Sequence, residues 1–125
     1  MRKKTHAQLK RKLWPIFSLY IRRRDKGICF TCGKRSAIPE CDAGHFIPRG
    51  AGGLALFFHP DNVHTQCKTC NLFLQGNQYE YGKRLGEEKV KELYKLKQQI
   101  TKDFPFEELI EKYTKLCAKI EQKDI

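Results

Sequence analysis

No stretch of this 125-residue chain approaches the roughly 20 apolar residues that a membrane-spanning helix needs, so no membrane association through such a helix is expected. The first residues, Met1-Arg2-Lys3-Lys4-Thr5-His6, are basic, but no apolar h-region follows them. That argues against a secretory signal and for a protein that stays in the cytoplasm. There is no low-complexity segment and no internal repeat. Acidic residues are scarce, 14 against 25 lysines and arginines, which leaves a formal charge of +11. A surplus that large on so short a chain suggests a polyanionic partner, with nucleic acid the commonest. A merely solvated basic surface is the plainer alternative. The length suits one compact domain spanning residues 1–125, small enough to profit from a metal staple.

Six cysteines are present, and four fall into two Cys-x-x-Cys pairs, Cys29/Cys32 and Cys67/Cys70. A reducing cytoplasm disfavours disulfides, so paired cysteines there more readily hold a metal. Two closely spaced pairs suit a tetrahedral structural zinc, because each tight turn can aim both sulfurs at one ion. Gly33 favours a knuckle-type turn after the first pair. The long segment between the pairs suggests that the zinc clamps a functional loop at its base. A redox Cys-x-x-Cys is the alternative, weakened by the presence of two pairs. Cys41 reads as a buried or free thiol, and Cys117 as a core residue on a helix stripe.

The fold class expected is α+β. A basic helical arm occupies residues 1–26, with its helix from about Thr5 to Asp25. Leu9, Leu13, Ile16, Phe17, Tyr20 and Ile21 make one apolar face. Pro15 should start or kink that helix, and Arg22-Arg23-Arg24 should end it. Residues 27–82 form the zinc-bound core, with two short strands and long turns. Leu54-Ala55-Leu56-Phe57-Phe58 is a plausible second strand, or a buried approach to it. The segment from Asn71 to Gly82 should open a short helix. Residues 83–125 hold two helices. One carries an apolar stripe of Val90, Leu93, Tyr94 and Ile100. The other begins after Asp103-Phe104-Pro105 and carries Phe106, Leu109, Ile110, Tyr113, Leu116, Cys117 and Ile120. Both stripes read as core-facing, with a dimer surface the alternative.

Between the cysteine pairs lie Gly44-His45-Phe46-Ile47-Pro48 and Asn62-Val63, and Asn71 follows Cys70 directly. With the two cysteine pairs, these residues make the chain resemble the HNH, or ββα-metal, nucleases. More narrowly, it resembles the NinG/Rap recombination proteins of lambdoid phages. Three strings carry that likeness: Asp42-Ala43-Gly44-His45-Phe46-Ile47, Gln66-Cys67-x-x-Cys70-Asn71-x-Phe73-Leu74 and Gly76-Asn77-Gln78-Tyr79-Glu80-Tyr81-Gly82. The similarity extends from Leu13-Trp14 to Phe106-Glu107-Glu108-Leu109-Ile110, which is most of the chain.

The resemblance implies a zinc-stapled ββα-metal core, flanked by the basic helix and the two carboxyl-terminal helices. It also implies a recombination protein, encoded by a phage or prophage, that nicks branched DNA such as D-loops and Holliday junctions. His45 would be the general base, an imidazole that titrates near neutral pH. Asn71 would be a ligand for a catalytic magnesium or manganese ion, through an amide oxygen that suits a hard cation. Helix capping is the plainer job for such an asparagine. Asn62 would bind loop backbone and hold the base in place. Many nucleases of this kind carry an aspartate immediately before the histidine, where this chain has Gly44. Asp42 is the nearest carboxylate, either reaching the ion or orienting His45. His59, Asp61 and His64 are further possible ligands.

DNA contact would come from lysines and arginines. Arg49 beside the site would hold the scissile phosphate. Arg11, Lys12, Arg22, Arg23, Arg24, Lys34, Arg35, Lys68, Lys83 and Arg84 would track the backbone. No recognition helix is evident, so a branched or single-strand-containing substrate would be read by shape and flexibility. Symmetric cutting of a four-way junction would call for a homodimer. The alternative to a nuclease is a non-catalytic zinc module that binds branched DNA.

Overall fold

The computed structural model describes residues 3–48, 50–97 and 103–123. Arg49 and Ile100 lie outside the described residues. In chain order the elements are helix α1 (His6–Arg24), a 3-10 turn (Ile38–Glu40), strand β1 (Asp42–His45), helix α2 (Gly53–Phe57) and strand β2 (Val63–Gln66). A π-helical turn (Thr69–Phe73) follows, then helices α3 (Gln78–Leu85), α4 (Glu87–Lys97) and α5 (Phe106–Lys123). The class is α+β, with one antiparallel pair of strands. Their register sets Asp42 opposite Gln66, Ala43 opposite Thr65, Gly44 opposite His64 and His45 opposite Val63.

Helix α1 is the central packing element rather than an arm. Thr5 and Gln8 close a reciprocal capping box at its start, satisfying two backbone amides that have no partner within the helix. Leu13, Phe17 and Ile21 recur at helical spacing and are fully buried. They meet Phe106 and Tyr113 of α5 on one side, and Ala43, Phe57, Phe58 and Val63 on the other. A second cluster joins Phe46, Ile47 and Leu56 to Tyr81 and Leu93, and so seats α3 and α4.

Three expectations need correction. Pro15 neither starts nor kinks α1, which runs unbroken through it. Pro15 and Arg11 both face solvent, so water can satisfy the carbonyl that loses its partner. Leu54–Phe58 is not the second strand, because its first four residues belong to α2. Leu56, Phe57 and Phe58 are buried in succession, a pattern in which helix and strand periods cannot be told apart. The segment opening at Asn71 is split. A π turn already begins at Thr69, and the regular helix resumes only at Gln78.

Arg22, Arg23 and Arg24 end α1 as expected, and each guanidinium also binds within the fold. Arg22 donates to the Ile38 carbonyl at 2.8 Å, and Arg23 to the Cys117 carbonyl at 3.1 Å. Arg24 donates to the Pro60 and Val63 carbonyls and pairs with Asp25 at 2.7 Å. Asp25 in turn accepts the Thr65 amide at 2.8 Å, which stitches the end of α1 to β2.

Phe17 packs edge-on to both Phe58 and Tyr113, at ring separations of 5.7 and 4.9 Å. Phe17→Ala should therefore cost about 3–5 kcal/mol of stability, measured by urea denaturation of the zinc-loaded protein.

Candidate functional site

The two cysteine pairs converge. Cys29 and Cys32 lie on a turn closed by a bridge between Ile28 and Arg35, and Cys67 follows directly on β2. The four sulfurs lie within 4.8 Å of one another, and those of Cys32 and Cys67 are 3.6 Å apart. Sulfurs bound to one tetrahedral zinc stand about 3.8 Å apart. The group could therefore hold a structural metal such as zinc, with the ligand set expected from the sequence. Cys41 stays outside it, its thiol donating to the Ile38 carbonyl at 3.4 Å, and Cys117 is buried against α1.

The four thiols differ electrostatically. At Cys29 burial opposes ionisation. The Thr31 hydroxyl and the amides of Cys67, Cys32 and Thr31 outweigh it and bring the thiol down to about 6. Burial pushes Cys32 up to about 12 and also raises Cys70. Four thiolates in such a space need a cation to balance them.

His45 ends β1 and is almost wholly buried. Its ring stacks on Trp14 at 5.2 Å and leans on Phe57 at 4.7 Å. Nε2 stands 2.9 Å from the Phe57 carbonyl. A carbonyl only accepts, so Nε2 carries a proton, and in the neutral form of the ring the lone pair would sit on Nδ1. Asn62, fully buried, supports this arrangement. Its Oδ1 accepts the Ile47 amide at 2.8 Å, and its Nδ2 donates to the carbonyls of Ile47 and Leu56 at 3.1 and 3.0 Å. It thus ties the loop after β1 to the helix that carries the Phe57 carbonyl.

Asn71 sits on the π turn and donates from Nδ2 to Asp42 Oδ2 at 2.9 Å. Lys68 pairs with the other Asp42 oxygen. Asp42 thus holds Asn71, and both its oxygens are engaged. It does not orient His45, because side chains three apart on a strand point to opposite faces. A cleft of about 220 Å³ runs between Trp14 and His45 on one side and Asn71, Gly76 and Gln78 on the other. A second hollow of about 450 Å³ continues past Asp42, Lys68 and Arg22.

Gly44 lines the first of these. The point where a Cβ would stand is 1.9 Å from Gln66 Oε1 and 3.1 Å from Asn71 Oδ1. The Gln66 carboxamide therefore fills the room that a side chain at position 44 would need. Its Nε2 donates to the Gly76 carbonyl at 2.8 Å and to Thr31 Oγ1 at 3.2 Å. Among the described residues, Gln66 Oε1 is the one buried side-chain oxygen or nitrogen without a hydrogen-bond partner.

The other possible ligands are used elsewhere. His59 Nδ1 accepts the Asp61 amide in a turn, and Asp61 pairs with Lys89 at 3.2 Å. His64 stacks on Phe30 and meets the Tyr81 hydroxyl at 3.2 Å. Burial, reinforced by Arg24, pushes it down to about 4. Of the basic residues, Arg11, Lys12, Lys34, Arg35, Lys68, Lys83 and Arg84 are exposed. Sequence reasoning missed Gln66, Thr31 and Trp14 as parts of the site. It also missed the exposed apolar group Leu72, Phe73, Leu74 and Tyr79, where Lys83 lies over the Tyr79 ring at 4.9 Å. Four apolar residues breaking the polar pattern beside Asn71 were the available signal for that group.

Fold and site together define a small α+β protein with a four-cysteine cluster that could hold a metal and a polar cleft beside it. The family model described as Bacteriophage Lambda NinG protein matches residues 1–124. The chain belongs to the NinG family of phage proteins. It is 35% identical over 79 residues to Protein ninG of Escherichia phage lambda, covering 59% of this chain and 38% of that protein. It is 36% identical over 63 residues to Protein ninG of Salmonella phage P22, covering 50% and 30%. The matched region thus spans well under half of these relatives. No solved structure matches the chain. Among the described residues, no helix is long and apolar enough to cross a membrane.

At neutral pH, metal binding must displace the protons that Cys32 and Cys70 still hold. Zinc affinity should therefore rise between pH 7 and 8, by about tenfold for each proton that leaves. Competition against a zinc-binding dye across that range checks this. A flat profile would contradict it.

Proposed function

We propose that this chain is a divalent-metal-dependent endonuclease of the ββα-metal type, which nicks branched DNA during phage recombination. The observation that carries this reading is the meeting of His45, its tautomer fixed by the Phe57 carbonyl, with Asn71 across one cleft. The order of two antiparallel strands followed by a helical turn bearing Asn71 agrees with the fold that the resemblance implies.

His45 is the general base. Its Nδ1 takes a proton from the water that attacks the scissile phosphate, and the Phe57 carbonyl supports the charge that the ring gains. Asn71 Oδ1 is a ligand for magnesium or manganese, and Asp42 holds the Asn71 amide in place. The bound cation supplies charge stabilisation at the phosphate and the leaving oxygen. Asn62 positions both the loop after β1 and the end of α2. Lys68, Lys83 and Arg84 offer exposed charge for phosphates near the cleft, and Lys34 and Arg35 extend it beyond the zinc knot. Exposed Phe73 and Tyr79 suit stacking on bases left unpaired at a branch. Arg23 and Arg24 serve the fold instead.

The second reading, a non-catalytic module that binds branched DNA, rests on one observation. Gly44 contributes no carboxylate, and Lys68 already neutralises Asp42. A labelled four-way junction and a matched duplex, incubated with magnesium, manganese or EDTA, separate the two. The expected result is metal-dependent nicking of the junction. His45→Ala should lower it by about a hundredfold or more, with zinc content and circular dichroism unchanged. Tight binding without cleavage under any ion would favour the second reading. Undiminished nicking by the variant would remove His45 as the base.

A further inference from the structure

We infer that Gln66 replaces the carboxylate missing at position 44: its side-chain oxygen is a second protein ligand, with Asn71, for the catalytic divalent cation. The inference rests on the cation-dependent reading above and adds a residue to it.

The first argument is accounting. Gln66 is fully buried, and an unpaired amide oxygen at such depth costs about 1–3 kcal/mol. Amide flipping offers no escape, because Nε2 faces the Gly76 carbonyl at 2.8 Å, and a carbonyl cannot donate. The oxygen is thereby aimed away from Gly76, toward Gly44 and the side of Asn71 Oδ1. A cation there would turn an orphaned acceptor into a ligand.

The second argument is the chemistry of the donors. Two amide oxygens are hard, neutral ligands of the kind magnesium and manganese accept. Such ions keep several waters and need few protein oxygens. An ion held by these oxygens would supply charge stabilisation to a phosphate lying beside His45.

The third argument is rigidity. Gln66 is anchored twice through its nitrogen, and one anchor, Thr31 Oγ1, lies 3.3 Å from Cys29 Sγ. With Cys29 as a thiolate, the Thr31 hydroxyl donates to sulfur and accepts from Gln66. The structural metal thus orients a ligand of the catalytic one, as supporting hydrogen bonds do in metal sites generally. Gly44 follows as a necessity, since any side chain there collides with the Gln66 oxygen.

The test is manganese affinity, read from the electron paramagnetic resonance of free Mn²⁺ in titrations of the zinc-loaded protein without DNA. Gln66→Ala should weaken binding by at least about tenfold, with zinc content unchanged. Gly44→Asp combined with Gln66→Ala should restore it, because the aspartate enters the vacated space. Should Gln66→Ala fail to fold, the wild-type protein decides. The side-chain amide resonances of Gln66 should move on adding Mg²⁺, saturating together with those of Asn71. Unchanged manganese affinity in a folded Gln66→Ala, a Gln66 amide insensitive to Mg²⁺, or a wild-type protein that binds no manganese would each overturn the inference. A wild type that binds manganese through Gln66 yet cuts no DNA would overturn the nuclease reading alone.

Discussion

Four sulfur atoms within 4.8 Å of one another form the constraint on which the rest of this small protein depends. Thiols so crowded, most of them buried, cannot all ionise without a cation among them. A metal bound there would add its binding free energy to the stability of the fold. Several polar residues at or behind the cleft are one or two covalent or hydrogen-bonded steps from this cluster. Gln66 precedes Cys67, Asn71 follows Cys70, and Thr31 reaches Cys29 Sγ with one hydroxyl. The metal site therefore fixes the positions of polar side chains in a segment that has little regular secondary structure to do so.

The two faces of β1 divide the proposed chemistry. Asp42 and Gly44 face the π turn and Gln66, where the cation would sit. Ala43 and His45 face α1 and α2, where aromatic rings and a carbonyl fix the proton-accepting imidazole. The pairing with β2 leaves the other edge of β1 open, and there the two functions meet. Helix α1 closes the far wall with Trp14 and is held by its own three arginines. Those three arginines are thus engaged within the fold. Exposed basic charge among the expected DNA contacts lies on Arg11 and Lys12 of α1, the cysteine turns and α3.

Much of this was legible in the sequence where chemistry is local. The cysteine pairs, the α1 stripe and the α5 stripe followed from spacing, because ligand turns and amphipathic faces are properties of neighbouring residues. Asn62 and Asn71 came only through family resemblance, and the structure gives each a distinct partner. What failed was tertiary. Nothing local distinguishes an arginine that binds phosphate from one that caps the carbonyls of a distant loop. The apolar run Leu54–Phe58 ends in three consecutive buried residues, so its period carried no information. Gln66 was hidden for a related reason. Its role follows from a vacancy at Gly44, two residues away on the facing strand, and only the strand register brings the two together.

A crystal of the zinc-loaded protein grown with manganese, measured at the anomalous edges of both metals, tests the central claim most directly. That claim is that a structural metal builds a second cation seat beside His45. The account predicts a zinc peak among the four sulfurs and a manganese peak in the space bordered by Gln66 Oε1 and Asn71 Oδ1. Manganese bound only elsewhere, or nowhere, beside an occupied zinc site would contradict it.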